Sequence, residues 1–123
     1  MPSRGELWWA DLDPVMGREL GRKIRPVLVV SYDEFAADYE RVIAVPSTTQ
    51  AHDIHCHVPY DYRLGELRRR GYLCCEDVRA ISTQRLRQRF APGPIASHVI
   101  ASVEHWLRTL MVLAETTDIA TDG

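Results

Sequence analysis

An arginine that directly precedes a proline is the first residue whose side chain could take part in chemistry. In the segment KIRPVLVVS, Arg25 precedes Pro26, and Val27–Val30 form an unbroken apolar run. The run predicts a strand covered on both faces, although four residues alone do not exclude a helix. Pro26 has a fixed φ and no N–H, which suits the first residue of a strand, and it biases Arg25 toward extended geometry. The sequence thus predicts a guanidinium on a stiff backbone, and this group can bind two phosphate oxygens at once.

Hydroxyl side chains cluster at the end of a second apolar run. RVIAVPS predicts a strand closed by Pro46, and Ser47, Thr48 and Thr49 come directly after this proline. Their hydroxyls could donate hydrogen bonds to an anion. They could equally bond the backbone of a loop, which is common for such residues.

Potential metal ligands are concentrated in the run HDIHCH. On a strand, His55 and His57 would share a face while Cys56 would point away from them. No zinc-type pairing such as C-x-x-C accompanies the run, so the sequence predicts neither a metal site nor a cofactor. A histidine near an active site, from among His52, His55 and His57, could instead transfer protons or stack on a base.

The charge distribution is more informative than the net charge of −2, which does not indicate a nucleic-acid binder. Residues 15–30 carry Arg18, Arg22, Lys23 and Arg25 against one acid, Glu19. Residues 61–90 carry eight arginines against four acidic residues. The two zones could form a local anion-binding surface, or they could be solvated loops.

The length of 123 residues predicts a single domain, residues 1–123, with one core. No run approaches 18 apolar residues and the start lacks a signal-peptide pattern, so we expect no membrane span and a cytoplasmic protein. The three cysteines are odd in number and two are adjacent, which favours reduced thiols.

Short strands and one long helix dominate the remaining pattern. From Pro94 an apolar stripe recurs at three- and four-residue steps, which predicts a helix of roughly 20 residues packed on the core, with a frayed tail after about residue 115. YDEFAADYE predicts a short helix, and STQRLRQRF a short helix or turn. Further strands are predicted in GELWWADLD, IHCHVPY and YLCCEDVRAIS, with loops in DPVMGRELGRK and STTQAHD and a polar connection in DYRLGELRRRG. This is an α+β pattern: a small closed or nearly closed sheet covered by the terminal helix.

Four segments in this order resemble the MazF/PemK family of toxin endoribonucleases. They are RGELWWADLDP, GRELGRKIRPVLVVS, RVIAVPSTTQ and YLCCEDVRAISTQRL. The resemblance implies a small antiparallel SH3-like β-barrel with a C-terminal helix, usually a homodimer. It also implies metal-independent cleavage of single-stranded RNA that leaves a 2′,3′-cyclic phosphate and a 5′-hydroxyl, held silent by a cognate MazE-like antitoxin.

The resemblance also implies roles for individual residues. Arg25 and Thr48 match the catalytic pair, and Glu19 matches an acidic residue of the first loop. Because arginine is a poor general base near neutral pH, we expect Arg25 to stabilise charge. Glu19 could then take the 2′-hydroxyl proton if burial raised its pKa, or simply pair with a neighbouring arginine. The expected RNA-binding residues are Arg18, Arg22, Ser47, Gln50, Asp77 and Arg79.

Asp77 departs from the family pattern, which often has an amide at this position, so the base preference is left open. A second function is possible on the same fold, namely a non-enzymatic gyrase inhibitor like CcdB. A third is a degenerate relative that only binds antitoxin or RNA. The presence of both Arg25 and Thr48 favours the RNase.

Overall fold

The computed structural model describes residues 1–12, 24–89 and 94–113, so the predicted loop DPVMGRELGRK and the predicted tail lie outside it. Seven strands and two α-helices lie within these ranges. In chain order they are β1 (Leu7–Asp11), β2 (Ile24–Val29), α1 (Asp33–Tyr39), β3 (Arg41–Thr48), β4 (His57–Leu64), β5 (Leu67–Cys74), β6 (Arg79–Ser82), β7 (Leu86–Arg89) and α2 (Ser97–Met111).

All the strand pairs are antiparallel, and they form one sheet in the order β4-β5-β3-β2-β1-β7, with β6 also paired to β3. The first half of β3 pairs with β6, whereas its end pairs with β5 through Ser47 and Thr48. The α+β prediction with an antiparallel sheet is therefore confirmed. Over the described ranges the sheet is open, so "barrel" describes its curvature loosely.

Both faces of the central strands are buried, which explains the unbroken apolar run in β2. Side chains alternate across a strand, so neighbours in β2 enter two different clusters. The cluster on the α2 side includes Leu28, Val45, Leu73, Val99 and Val103. The cluster on the α1 side includes Val27, Val29, Ala36, Val42, Ala44 and Ile81.

The prediction of a polar connection at DYRLGELRRRG was wrong, because these residues form most of a β-hairpin. Leu64 pairs with Leu67, and Gly65 makes the turn between them with φ +61°. The sequence pattern did not reveal these strands because many of their residues face solvent. Alternate residues of β4 are exposed, and the first four residues of β5 are all exposed. A strand with a fully solvated stretch carries little apolar periodicity.

The segment YLCCEDVRAIS was predicted as one strand but forms two. A 3₁₀ turn at Cys75–Asp77 separates β5 from β6. The break coincides with the acidic pair that interrupts the apolar pattern. A second 3₁₀ turn at Thr83–Arg85 fits the prediction for STQRLRQRF, although the segment then continues as β7.

The terminal helix is shorter than predicted and begins after Pro94. Val99 and Val103 are buried, whereas Leu110 and Met111 at its end are about half exposed. Gly5 anchors the segment before the helix: its carbonyl accepts from the Ile95 N–H at 2.7 Å, and a Cβ there would lie 3.1 Å from that of Pro94. No described helix is both long and apolar enough to cross a membrane.

Glu6 ties the N-terminal segment to β1 and β7. Its Oε1 accepts from the Ser3 N–H at 2.8 Å and from Trp8 Nε1 at 3.2 Å, and its Oε2 accepts from Arg89 at 2.8 Å. Burial raises the pKa of this carboxyl, but the donors outweigh burial and hold it below 4.5. The ionised form is therefore the one that the fold stabilises.

We expect Glu6→Gln to lower the free energy of unfolding by about 1–2 kcal/mol at neutral pH, because it removes a charge-assisted hydrogen bond. The folded-state pKa is depressed, so this contribution is complete above pH 4.5 and is lost as pH falls through the folded value. Denaturant unfolding over a pH series should show the two proteins converging in acid. Glu104→Gln, which breaks more exposed pairs with Arg4 and Arg108, should cost less than about 0.5 kcal/mol. Equal losses in both variants would contradict the assignment.

Candidate active site

A cleft of about 290 Å³ opens where β2 begins and β3 ends. The loop after β3 forms one wall, and the aromatic rings of Trp9 and Tyr62 contribute to the others. The lining residues are Trp9, Ile24, Arg25, Pro26, Ser47, Thr48, Thr49, Gln50, His52 and Tyr62. Four residues predicted as catalytic or RNA-binding therefore share one concave site: Arg25, Ser47, Thr48 and Gln50.

The guanidinium of Arg25 is half-buried in this cleft and held from β3. Its Nη1 donates to the backbone carbonyl of Ser47 at 3.3 Å. Its Nε is buried and has no hydrogen-bond partner within the described ranges. This atom is not accessible to solvent, so an anion in the cleft does not reach it without a movement of the side chain.

The β2–β3 register brings Thr48 to Arg25. Val27 pairs with Pro46, so the start of β2 lies beside the end of β3. Arg25 and Thr48 both line the cleft at this point. Thr48 is 6% exposed, and its Oγ1 accepts from the Gln50 N–H at 3.2 Å. This bond leaves the hydroxyl proton free to donate to an anion.

Ser47 holds the site from the opposite face of β3. Its Oγ lies 2.8 Å from the hydroxyl of Tyr60, and both side chains are buried. The backbone of the same residue accepts from Arg25. Ser47 was predicted to contact RNA, but its hydroxyl is hydrogen-bonded to the buried Tyr60. The backbone carbonyl of Ser47, not its hydroxyl, contacts Arg25.

Tyr60 and Gly71 are site-supporting residues that the sequence analysis missed. They are paired across β4 and β5, and a Cβ on Gly71 would lie 2.6 Å from the Tyr60 ring. Gly71 therefore leaves the space that the ring occupies. Burial raises the pKa of Tyr60, so its hydroxyl stays protonated. The available signal was the alternation of apolar residues through Val58, Tyr60 and Tyr62.

The three histidines have different surroundings. His52 lines the cleft, and its ring centroid lies 6.1 Å from that of His57. His57 does not line the cleft, and its Nε2 lies 2.6 Å from a carboxylate oxygen of Glu76. His55 is exposed and does not line the cleft.

Asp77 and Arg79 do not line the cleft. Asp77 ends the 3₁₀ turn, and Arg79 begins β6 opposite Ala44, further back along β3. The Nη1 of Arg79 is buried without a hydrogen-bond partner in the described part of the chain. Arg18, Glu19 and Arg22 lie outside the described residues.

The thiol of Cys74 lies close enough to the cleft to feel the charge of Arg25. Burial, followed by the carboxylates of Glu76 and Asp77, raises its pKa to about 12, and Arg25 acts in the opposite direction. The thiol is therefore protonated at neutral pH and is not a nucleophile there. Among the described residues that line the cleft, the groups that could take part in chemistry include the guanidinium of Arg25, the hydroxyl of Thr48, the amide of Gln50 and the imidazole of His52.

Comparisons with known proteins agree on one family. The family model described as "PemK-like, MazF-like toxin of type II toxin-antitoxin system" matches residues 3–111. Endoribonuclease EndoA of Bacillus subtilis is 33% identical over 88 residues, which cover 70% of this chain and 75% of that protein. Endoribonuclease MazF9 of Mycobacterium tuberculosis is 29% identical over 117 residues, covering 88% and 94%.

Solved structures show the same fold. MazF (Form-I) from Deinococcus radiodurans superposes with a TM-score of 0.78 at 25% identity, covering 91% of this chain and 97% of that one. A MazE–MazF structure (Form-III) from the same organism gives a TM-score of 0.70 at 22% identity, covering 92% and 98%. With the family model spanning nearly the whole chain, this protein belongs to the PemK-like, MazF-like toxins of type II toxin–antitoxin systems.

Proposed function

We propose that this chain is a sequence-selective, metal-independent endoribonuclease that cleaves single-stranded RNA by attack of the 2′-hydroxyl, leaving a 2′,3′-cyclic phosphate and a 5′-hydroxyl. The observation that carries this proposal is the presence of both Arg25 and Thr48 in the lining of one cleft. The curated relatives EndoA and MazF9 are named endoribonucleases, which supports the reaction class.

Arg25 and Thr48 suit the charge that develops in this reaction. Attack by the 2′-hydroxyl builds negative charge on the phosphoryl oxygens of a pentacoordinate phosphorus. Donors fixed before the reaction stabilise such charge because they need not reorganise. Arg25 is held by the Ser47 carbonyl and brings its positive charge to the cleft, while Thr48 can donate its hydroxyl proton.

Proton transfer needs a further group, because arginine stays protonated near neutral pH. Among the lining residues, His52 is the one whose side-chain type exchanges protons in this range. We assign proton transfer to His52 as the structural candidate. Glu19 stays a prediction from the sequence. Gln50 lines the same wall and can read base edges with its amide.

Family membership supports the biological setting. Solved relatives include MazE–MazF complexes and an "endoribonuclease in complex with its cognate antitoxin" from a mycobacterial species. We propose that a MazE-like antitoxin inhibits this chain, that the chain acts as a homodimer, and that it works in the cytoplasm. Binding of RNA should weaken with salt, as for any protein that neutralises phosphates.

The first test is cleavage of a long single-stranded RNA in excess EDTA, with product ends mapped by sequencing. We expect discrete cuts with cyclic-phosphate ends from the parent protein. Arg25→Ala and Thr48→Ala should each lower kcat by about 100- to 1000-fold, because each removes a donor to the transition state.

Arg41→Ala and Thr109→Ala, exposed and outside the cleft, are the matched controls. Unchanged cleavage by Arg25→Ala would refute the assignment, and no cleavage of any RNA would direct the next assay to gyrase.

The second test is the pH–rate profile. We expect His52→Gln to lower kcat by about tenfold or more and to remove one limb of the profile, since it deletes the proton carrier. His55→Gln, outside the cleft, should leave both unchanged. If Glu19→Gln removes the limb while His52→Gln keeps it, the base is Glu19.

The third test concerns the support behind Arg25. Tyr60→Phe removes the hydroxyl that hydrogen-bonds the side chain of Ser47. Ser47 is the residue whose backbone carbonyl holds Arg25, so its position should become less fixed. We expect a fall in kcat of about tenfold from misplacement and a loss of about 1 kcal/mol in stability. Tyr39→Phe, on an exposed ring, is the control. Full activity in a destabilised Tyr60→Phe would show that the hydroxyl serves stability alone.

A further inference from the structure

Three metal-ligating side chains from distant parts of the sequence converge behind the cleft. His57 opens β4 and is paired directly with Cys74 at the end of β5, and Glu76 follows in the 3₁₀ turn. The candidate ligand atoms of these three residues all lie within 4.8 Å of one another. The sequence pattern gave no sign of this group, because only His57 belongs to the HDIHCH run.

The Glu76 carboxylate contacts two side chains. His57 Nε2 is 2.6 Å from one oxygen of Glu76, and the Sγ of Cys56 is 3.4 Å from the other. Cys56 lies outside the group of mutually close ligand atoms, so the set is one imidazole, one carboxylate and one thiol. Nitrogen, sulfur and carboxylate oxygen are the ligands that tetrahedral Zn²⁺ takes in proteins.

The spacing is close to what such an ion requires. Zinc bonds of about 2.0–2.3 Å in a tetrahedron place the donors roughly 3.3–3.8 Å apart. The present maximum of 4.8 Å among His57, Cys74 and Glu76 must therefore shrink by about 1 Å. A side-chain rotation of Glu76 is the cheapest adjustment, since its side chain is 34% exposed whereas that of His57 is 6% exposed.

Burial gives the group an inner and an outer side. The Cys74 thiol and the His57 imidazole form the buried side of the group, because Cys74 is 1% exposed and the His57 side chain 6%. The more exposed Glu76 carboxylate marks the side from which an ion would enter. His57 Nδ1 is buried with no hydrogen-bond partner among the described residues. Metal-bound histidines usually donate this second N–H to an outer partner, so we expect moderate rather than extreme affinity.

We propose that His57, Cys74 and Glu76 form a three-residue binding site for a thiophilic divalent cation such as Zn²⁺. On binding, the ion takes the place of the hydrogen between His57 and Glu76, and the Cys74 thiol coordinates as a thiolate and releases its proton to solvent. The ion links the β4–β5 hairpin to the 3₁₀ turn, beside the pairs that join β5 to Ser47 and Thr48. It plays no part in the cleavage step proposed above.

The test titrates Co²⁺ into the full chain, prepared without an affinity tag, reduced and stripped of metal. We expect one Co²⁺ per chain, with a thiolate-to-cobalt absorption band and intense visible bands of tetrahedral cobalt, all displaced by Zn²⁺. Zn²⁺ should also raise the thermal midpoint, because it binds the folded state. The measurement uses no RNA, so it can fail while the proposed RNase activity stands.

The variants decide which residues bind. Cys74→Ser and Glu76→Gln should each weaken Co²⁺ binding at least about tenfold. Cys75→Ala and His55→Gln are the matched controls, because neither residue belongs to the group, and they should bind like the parent. Glu76→Gln is partly exposed and should fold even if Cys74→Ser does not. The absence of a thiolate band, or equal binding by Glu76→Gln and the parent, would overturn the proposal.

Discussion

The antiparallel pairing of β2 with β3 is the constraint on which the cleft depends. Val27, Leu28 and Val29 are buried against β3, and their alternation into two clusters opposes a slip of one residue. A slip of one residue would exchange every inward side chain with its neighbour and move Arg25 to the other face. The chemistry of the cleft is therefore specified by apolar residues that take no part in it.

Ser47 shows how one residue serves both faces of a strand. Its carbonyl accepts from Arg25 and its hydroxyl contacts Tyr60 on the opposite side. Gly71 allows this arrangement, because any larger residue would meet the Tyr60 ring. The guanidinium is thus positioned by a chain of contacts that ends in the β4–β5 hairpin, on a different part of the sheet. Such indirect support makes a site sensitive to packing far from the reacting atoms.

The sequence sufficed for the parts of the fold that carry a strong local pattern. The strand after Pro26 and the helix at Asp33–Tyr39 followed from apolar runs and composition. The family resemblance predicted Arg25 and Thr48 as a catalytic pair, and both line the cleft. The β4–β5 hairpin was missed because four consecutive exposed residues in β5 erase the period-two signal. The contacts of Tyr60 with Ser47, and of His57 with Cys74, depend on strand register between distant segments. A single sequence does not encode that register in any local pattern.

The pairing of β1 with β7 has a consequence for how the chain reaches its folded state. Trp8 lies opposite Arg89, so β1 gains its second neighbour only after all the other described strands have been made. Folds dominated by such sequence-distant pairs have high contact order and fold slowly, because a long loop must close before the contacts form. The β3 residues at the cleft likewise pair with β5, which is made later. The cleft therefore cannot form until synthesis has passed β5, well after β2 and β3 themselves have been made.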